Sequence, residues 1–451
     1  MLARYTRPEM AHLWLREETK LEYWLKVELA FLEARAERGD IPRVAYEAIR
    51  DNAKINVARM KEIEAEVDHD MIAFVKMIQE SLINAGVGEH KERFHELLTS
   101  YNTEDPALIL MLRVAVEHIL LELGKLRDAL RAKAVEHRAT FMIMRTHGKF
   151  AEPSTFGHLL LVFANSMARS IRRLEAVYHE DLIEANISGA VGSYGEIDPA
   201  LEQHTATLLG LRPALAETQI LQRDRHAALM SAIAIAGASI EQAALTFWEM
   251  CRSEVGELEE PRKPKQRGSS AMAHKINPIG LEQMKGLPRK LRGDAHVAIE
   301  NIATPEGRDI SQSSVERHIL PDTTALLHYM AVRMTNLVKG LVVFPDQMKA
   351  NLRTATLGMW AGQPIRTALM RNGIDYDAAY EYVQAASFAG VKAKNHLKSL
   401  MSIRPLSEQD NRTAEQVIGK ETLDKCFDYE AYVGRGVEAI FAANGLAPKA
   451  A

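Results

Sequence analysis

The sequence predicts an all-α fold of three helical domains, the middle one a bundle of long helices. Apolar residues recur at helical rather than strand spacing almost throughout. Leu112, Val116, Ile119, Leu123, Leu126 and Leu130 alternate steps of four and three, which makes one face of a long helix and a bundle seam. Further long helical stretches follow Pro153, Arg223, Ile279 and Ser313.

The elements follow in order. Residues 1–105 form an N-terminal helical domain, closed by the polar run Thr99 to Pro106, whose Asn, Asp and Pro favour a turn. Residues 106–355 form the central bundle. Its first long helix is expected to end at Arg145-Thr146-His147-Gly148 and to pass through Ala151-Glu152-Pro153 into the next. Residues Gly256 to Arg267 are polar, charged and twice interrupted by proline, so they cannot be a core helix. They read either as a solvated surface loop or as a mobile lid, and the lid is favoured because the segment leads into the most reactive run of the chain. A second break near Gly358 to Pro364 opens a C-terminal helical domain, residues 356–451.

Composition excludes several functions. With 56 Lys+Arg against 60 Asp+Glu the net charge is -4, which argues against nucleic acid or a membrane surface as partner, so any anion site must be local. Cys251 and Cys426 are the only cysteines, too few for a disulfide framework and not in a metal or redox spacing. Met1 to Pro8 lacks a signal peptide's apolar stretch, and no apolar run approaches a membrane span; a cytoplasmic protein is expected. Residues Gly189 to Gly195 have the wrong spacing for a dinucleotide fingerprint, and P-loop, zinc-protease and nucleophile-elbow motifs do not occur. Neither a metal nor an organic cofactor is expected.

One run stands out: Gly268-Ser269-Ser270-Ala271-Met272-Ala273-His274-Lys275-Ile276-Asn277-Pro278, ahead of a helix. It concentrates free backbone, two hydroxyls, a cation and an amide. Such donors suit negative charge building up on a carboxylate oxygen. His147 adds a group that titrates near neutral pH.

These runs resemble the fumarase/aspartase superfamily: the glycine-serine run, Arg145-Thr146-His147-Gly148 with Ala151 to Gly157, and Leu98-Thr99-Ser100 match its three site segments in order. Arg4 to Met10, Glu64 to Asp70, Thr218 to His226 and Arg308 to Arg317 are similar, more narrowly, to the adenylosuccinate lyase family. The resemblance runs from Met1 to about Gly445. It implies a lyase without cofactor that eliminates fumarate from an N-succinyl nucleotide, adenylosuccinate or its imidazole-carboxamide analogue. It also implies a homotetramer whose sites combine segments of three subunits.

By resemblance, Ser269 takes the proton as an alkoxide, His147 protonates the leaving nitrogen and Lys275 stabilises the carbanion. Substrate binding falls to Arg4, Tyr5, Asp68, His69, Asp70, His95, Thr99, Ser100, Thr146, Gln219, Ser270, Met272, Asn277, Arg308, Ser313 and Arg317. Arg308, Ser313 and Arg317 suit a phosphate, since arginine donates bidentate, charge-assisted bonds. The plainer reading of the two arginines is surface pairing with Glu306 and Glu316. The chain departs from the family at Ala273 (usually Pro), Ile276 (Arg), Asp68 (Arg), Asn102 (Asp), Phe150 (His) and Glu217 (Ser). These departures bear on the leaving group more than on the elimination. The alternative they keep open is a related lyase for a different N-succinyl compound.

Overall fold

The computed structural model describes residues 1–262, 264–265, 271–272 and 274–446. Among them are nineteen α-helices and only three two-stranded sheets, as the apolar periodicity predicts. Four helices are long: Ser100–Glu136, Phe156–Glu180, Asp224–Met250 and Ser311–Gly340. All six residues of the predicted seam are at most 1% exposed. The contacts divide the chain into two compact units. One holds Met1–Lys125, Met167–Gln242 and Gln283–Met334; the other holds Leu126–Ser166, Ala243–Glu282 and Thr335–Ala451.

The first unit is built on stacked aromatic and aliphatic side chains. Trp24 of helix Glu17–Arg38 meets Phe74 edge-on, with ring centroids 5.4 Å apart, and Phe94 packs behind it at 5.8 Å. Its departure from expectation is the polar run after Thr99, which is not a turn. Ser100 opens the 37-residue helix, and Pro106 sits inside it. Asn102, Thr103 and Asp105 are at most 1% exposed because each has a buried polar partner. Polarity here marks an interior network rather than solvent.

The second unit has its own core, in which Ile365, Leu369, Leu397 and Met401 are fully buried with Ile143. Ile143 belongs to the other departure. The first long helix stops at Glu136, and Phe141–Thr146 pairs antiparallel with Lys149–Thr155. His147 (φ 53°) and Gly148 (φ 70°) form the two-residue turn between them. Two left-handed residues in succession match the twist of a tight hairpin, and glycine at the second makes it cheap. The segment's phenylalanine, isoleucine and threonine favour a strand over a helix end.

Helix Asp224–Met250 is also long and apolar enough to cross a membrane by length and composition, contrary to the sequence expectation, and half of its most apolar window is buried. Leu229, Met230, Ile233, Ala236, Ile240 and Ala244 are fully buried, as in a core helix. Residues 256–260 differ from the loop expectation too. Leu258 and Glu259 pair with Val343 and Val342, and Glu257 and Glu260 are at most 3% exposed.

The close approach at Gly157 tests the packing in the second unit. A Cβ there would lie 2.5 Å from the Ala134 carbonyl oxygen and 2.9 Å from the Arg138 Cα. Backbone cannot yield as a side-chain tip can, so Gly157→Ala is expected to destabilise the protein by about 1–3 kcal/mol. Denaturant unfolding would show it, and an unchanged midpoint would contradict this packing.

Candidate active site

The polar centre of the first unit is Arg223, 1% exposed. Its guanidinium donates to both oxygens of Asp105 (2.9 and 3.0 Å) and both of Glu316 (3.0 and 3.2 Å). Asp105 also accepts from the Leu221 amide at 2.8 Å, and the Leu221 carbonyl accepts from Arg223 at 2.6 Å. Burial would lower the arginine's pKa, but Asp105 and Glu316 outweigh it and raise it. Burial, aided by Asp105 and opposed by Arg223, pushes Glu316 up to about 7. This triad ties the Ser100 helix, the Ser311 helix and the irregular segment before Asp224 into one wall.

That wall carries six of the nineteen residues the sequence singled out: Asp70, Thr99, Gln219, Arg308, Ser313 and Arg317. Arg308 stacks over the Tyr101 ring at 4.0 Å and donates to the Gln219 carbonyl oxygen of the side chain at 2.8 Å. Gln219 reaches the Thr99 hydroxyl at 3.5 Å, while Asn186 and Asn102 brace its backbone through a chain of 2.8 Å bonds. Ser313 lies three residues before Glu316 and lines the cavity with Tyr101, whose hydroxyl pKa burial raises and Ser313 lowers. Arg317, one residue after Glu316, donates to Asp70 at 2.7 Å rather than to its neighbour. Lys20 comes within 3.6 Å of the same Asp70 oxygen. Burial would raise the Asp70 carboxyl, but Lys20 and Arg317 hold it below its usual range.

A cavity of about 460 Å³ opens on this wall, lined by Lys20, Tyr101, Glu104, Arg223, Ser313 and Arg317 among others. Sequence reasoning missed Lys20, Tyr101, Glu104 and the whole triad. Asp105 and Tyr101 lay in the run read as a turn, whereas Arg223 and Glu316 lay inside matched motifs and were readable as a buried pair only with the fold in hand.

Other expected residues of this unit stand apart from the cavity walls. His95 (φ 64°) points its Nδ1 at Glu28, 2.6 Å away, and Glu28 is fully buried and also accepts from Thr103 at 2.6 Å. Burial would lower the His95 pKa; the Glu28 charge outweighs it and raises it. Asp68 (φ 51°) ends helix Val57–Val67, and the His69 ring accepts from the Ile72 amide at 3.4 Å as the cap of helix Asp70–Asn84. Arg4 is exposed, and Tyr5 packs edge-on against Tyr329 at 5.3 Å. Ser100 opens its helix.

In the second unit, Thr146 and His147 occupy the exposed tip of the hairpin. Lys275 and Asn277 line a cavity of about 640 Å³ with Trp248, Glu259, Glu260 and Glu282. Met272 is 45% exposed, and its carbonyl accepts from the Lys275 amide at 3.0 Å. Glu260 accepts from the Gly280 and Leu281 amides, both at 3.0 Å, at the start of helix Ile279–Gly286. A carboxylate there satisfies the helix's free amides and its positive end. It also ties residue 260 to residue 280. Ser269 and Ser270 lie outside the described residues.

Known proteins resemble this chain along its length. A family model described as "Lyase" matches residues 1–293. The chain is 40% identical over 447 residues to adenylosuccinate lyase of Bacillus subtilis (strain 168), covering 99% of this chain and all of that protein. It is 38% identical over 446 residues to the same enzyme of Staphylococcus saprophyticus, again covering 99% and 100%. Among solved structures, a fumarate lyase from Mesorhizobium sp. BNC1 superposes with TM-score 0.87 at 22% identity over 99% of both chains. The 3-carboxy-cis,cis-muconate lactonizing enzyme of Pseudomonas putida gives 0.85 at 24% over 98% of both, a likeness of fold alone. Fold and sequence together define a carbon–nitrogen lyase of the fumarase/aspartase superfamily. Within it, the chain belongs to the adenylosuccinate lyase family.

Glu104 gives this cavity a pH signature. Burial, helped by Asp70 and opposed by Lys20 and Arg317, pushes its carboxyl from 4.5 up to about 7. A raised acid binds more protons folded than unfolded, so its contribution to stability falls as pH rises from about 4.5 to 7. Glu104→Gln is therefore expected to raise Tm more at pH 8 than at pH 5. An equal gain at both would contradict the assignment.

Proposed function

We propose that this enzyme eliminates fumarate from adenylosuccinate to release AMP, and carries out the same elimination on the succinyl-aminoimidazole-carboxamide ribotide of purine synthesis. The observation that carries the reading is the wall Thr99–Gln219–Arg308–Tyr101–Ser313–Arg317 in a chain 40% identical to an adenylosuccinate lyase along its full length. Two arginines and a hydroxyl on one wall suit a phosphate by charge and geometry. The remaining residues are assigned by the family resemblance.

In this reading Ser269, as an alkoxide, takes a proton from the succinyl carbon beside a carboxylate. Electrons move onto that carboxylate, where Lys275 and Asn277 donate. The carbanion then expels the nitrogen, the C–N bond breaks, and His147 gives the nitrogen its proton. Fumarate and the free amine leave. Lys275 and loop amides stabilise the alkoxide once water is excluded. Arg4, Tyr5, His69, His95, Thr146, Ser270 and Met272 complete the substrate contacts. The functional form is a cytoplasmic homotetramer, with segments 1–105, 106–355 and 356–451 as its domains and sites shared among subunits.

The acidic groups near Arg317 favour a second reading. Asp70 already occupies this guanidinium, and Glu104 lines the same cavity. Asp68 stands two residues away from Asp70, where the family resemblance implies arginine. A lyase for a different N-succinyl compound would need no phosphate there.

Ultraviolet absorbance separates the two. Conversion of adenylosuccinate to AMP is expected with the purified protein; no change, together with fumarate release from another N-succinyl compound, would support the second reading. Ser269→Ala is expected to abolish turnover with binding retained, and His147→Gln to cost several orders of magnitude in kcat. Near-normal rates would remove either residue from its role. Arg317→Ala is expected to raise KM by roughly 10- to 150-fold, since a charge-assisted bond is worth about 1.5–3 kcal/mol. An unchanged KM would place the phosphate elsewhere.

A further inference from the structure

The hairpin tip that carries His147 is poorly supported by its own strands. Pairing runs in register from Phe141↔Thr155 to Ile143↔Pro153, then shifts, so that Arg145↔Phe150 and Thr146↔Lys149 lie beyond an irregularity. Pro153 has no amide hydrogen to give to the ladder. Thr146, His147, Gly148, Lys149 and Phe150 are all exposed. A short two-stranded ribbon of this kind is marginal by itself. Something else must fix the outer pairs.

That anchor is a buried carboxylate outside the residues assigned to the reaction. Arg145 places its two terminal nitrogens on the two oxygens of Glu257, at 3.0 and 3.1 Å. Glu257 is fully buried. Asn351 donates to it at 2.8 Å and to the Val255 carbonyl at 2.9 Å, and is itself held by Gln347 at 2.9 Å. The Arg145 guanidinium also lies over the Phe150 ring at 5.4 Å, spanning the outer pair of the hairpin. Glu257 sits directly before the strand pair Leu258–Glu259 with Val342–Val343, so its backbone is fixed as well.

We infer that Glu257 is a positioning residue for His147: its forked bond with Arg145, steadied by Asn351, holds the hairpin tip where the imidazole must meet the leaving nitrogen. The inference rests on the proposed role of His147 as proton donor. A bidentate guanidinium–carboxylate pair fixes angle as well as distance, which one hydrogen bond cannot do. Arg145 is two residues from His147, so a tilt of its guanidinium is passed to the turn with little loss. Proton transfer is sensitive to such error, a displacement of about 1 Å costing roughly 100-fold in rate.

A double-mutant cycle on the full-length protein with adenylosuccinate tests this. Glu257→Gln keeps the acceptor for Asn351 but loses the charge and one half of the fork. It is expected to lower kcat roughly 10- to 100-fold while KM stays within about threefold. In a His147→Gln background the same change is expected to cost less than about threefold, because the group it positions is gone. Arg145→Lys, which keeps the charge and loses the fork, should repeat the pattern more mildly and guards against misfolding of the first variant. Equal losses from Glu257→Gln or Arg145→Lys with and without His147 would overturn the inference. Full turnover by His147→Gln alone would instead overturn the proton-donor role, and the inference with it.

Discussion

The buried contact of Arg223 with Asp105 and Glu316 is the constraint on which the candidate site depends. One cation faces two carboxylates, so the group is stable only if both carboxylates keep their bonds or one keeps a proton, and burial drives Glu316 toward the second. A buried carboxylate stripped of its partner costs about 3–5 kcal/mol, which makes the triad tolerable only when complete. Completing it fixes three chain segments. Two of them then present neighbours to the cavity, Tyr101 from the Ser100 helix and Ser313 and Arg317 from the Ser311 helix, while Gln219 from the segment before Asp224 holds Arg308 over Tyr101. Arg317, which lines the cavity, is thus aimed by the buried Arg223 that lines it too.

The second unit uses buried carboxylates in the same way. Glu257 holds the hairpin through Arg145, and Glu260 holds the start of the Ile279 helix through two amides. They lie three positions apart, so one short stretch anchors both the hairpin that bears His147 and the start of the Ile279 helix. In both units the charged side chains proposed to touch substrate are exposed or line a cavity, while those that orient them are interior. A polar group can be precise in such a place because every alternative partner has been removed.

Much of the fold was legible because helical periodicity survives whatever the side chains do chemically. The Leu112 to Leu130 seam is an example: spacing alone marks it, and all its members are buried. Polar runs were harder. Thr99 to Pro106 has the composition of a turn, but its partners, Glu28, Asn186, Leu221 and Arg223, lie far off in sequence and turn it into an interior helix. The hairpin at His147 was hidden by its brevity, since six residues carry too few periods to separate strand from helix. Family motifs marked Arg308, Ser313 and Arg317 without their geometry, and nothing local in the sequence signals that Lys20 would share the cavity of Ser313 and Arg317. Long-range pairing of charges is what sequence periodicity does not encode.

The central claim is that the triad-supported wall is an anion site for a nucleotide phosphate, and comparing AMP with adenosine tests it most directly. Calorimetric titration of the full-length protein with each ligand isolates the phosphate, because the two share every other group. A phosphate held by two arginines predicts AMP binding at least about tenfold more tightly, with the difference shrinking as salt is raised. Equal affinity for AMP and adenosine at low salt would contradict the account.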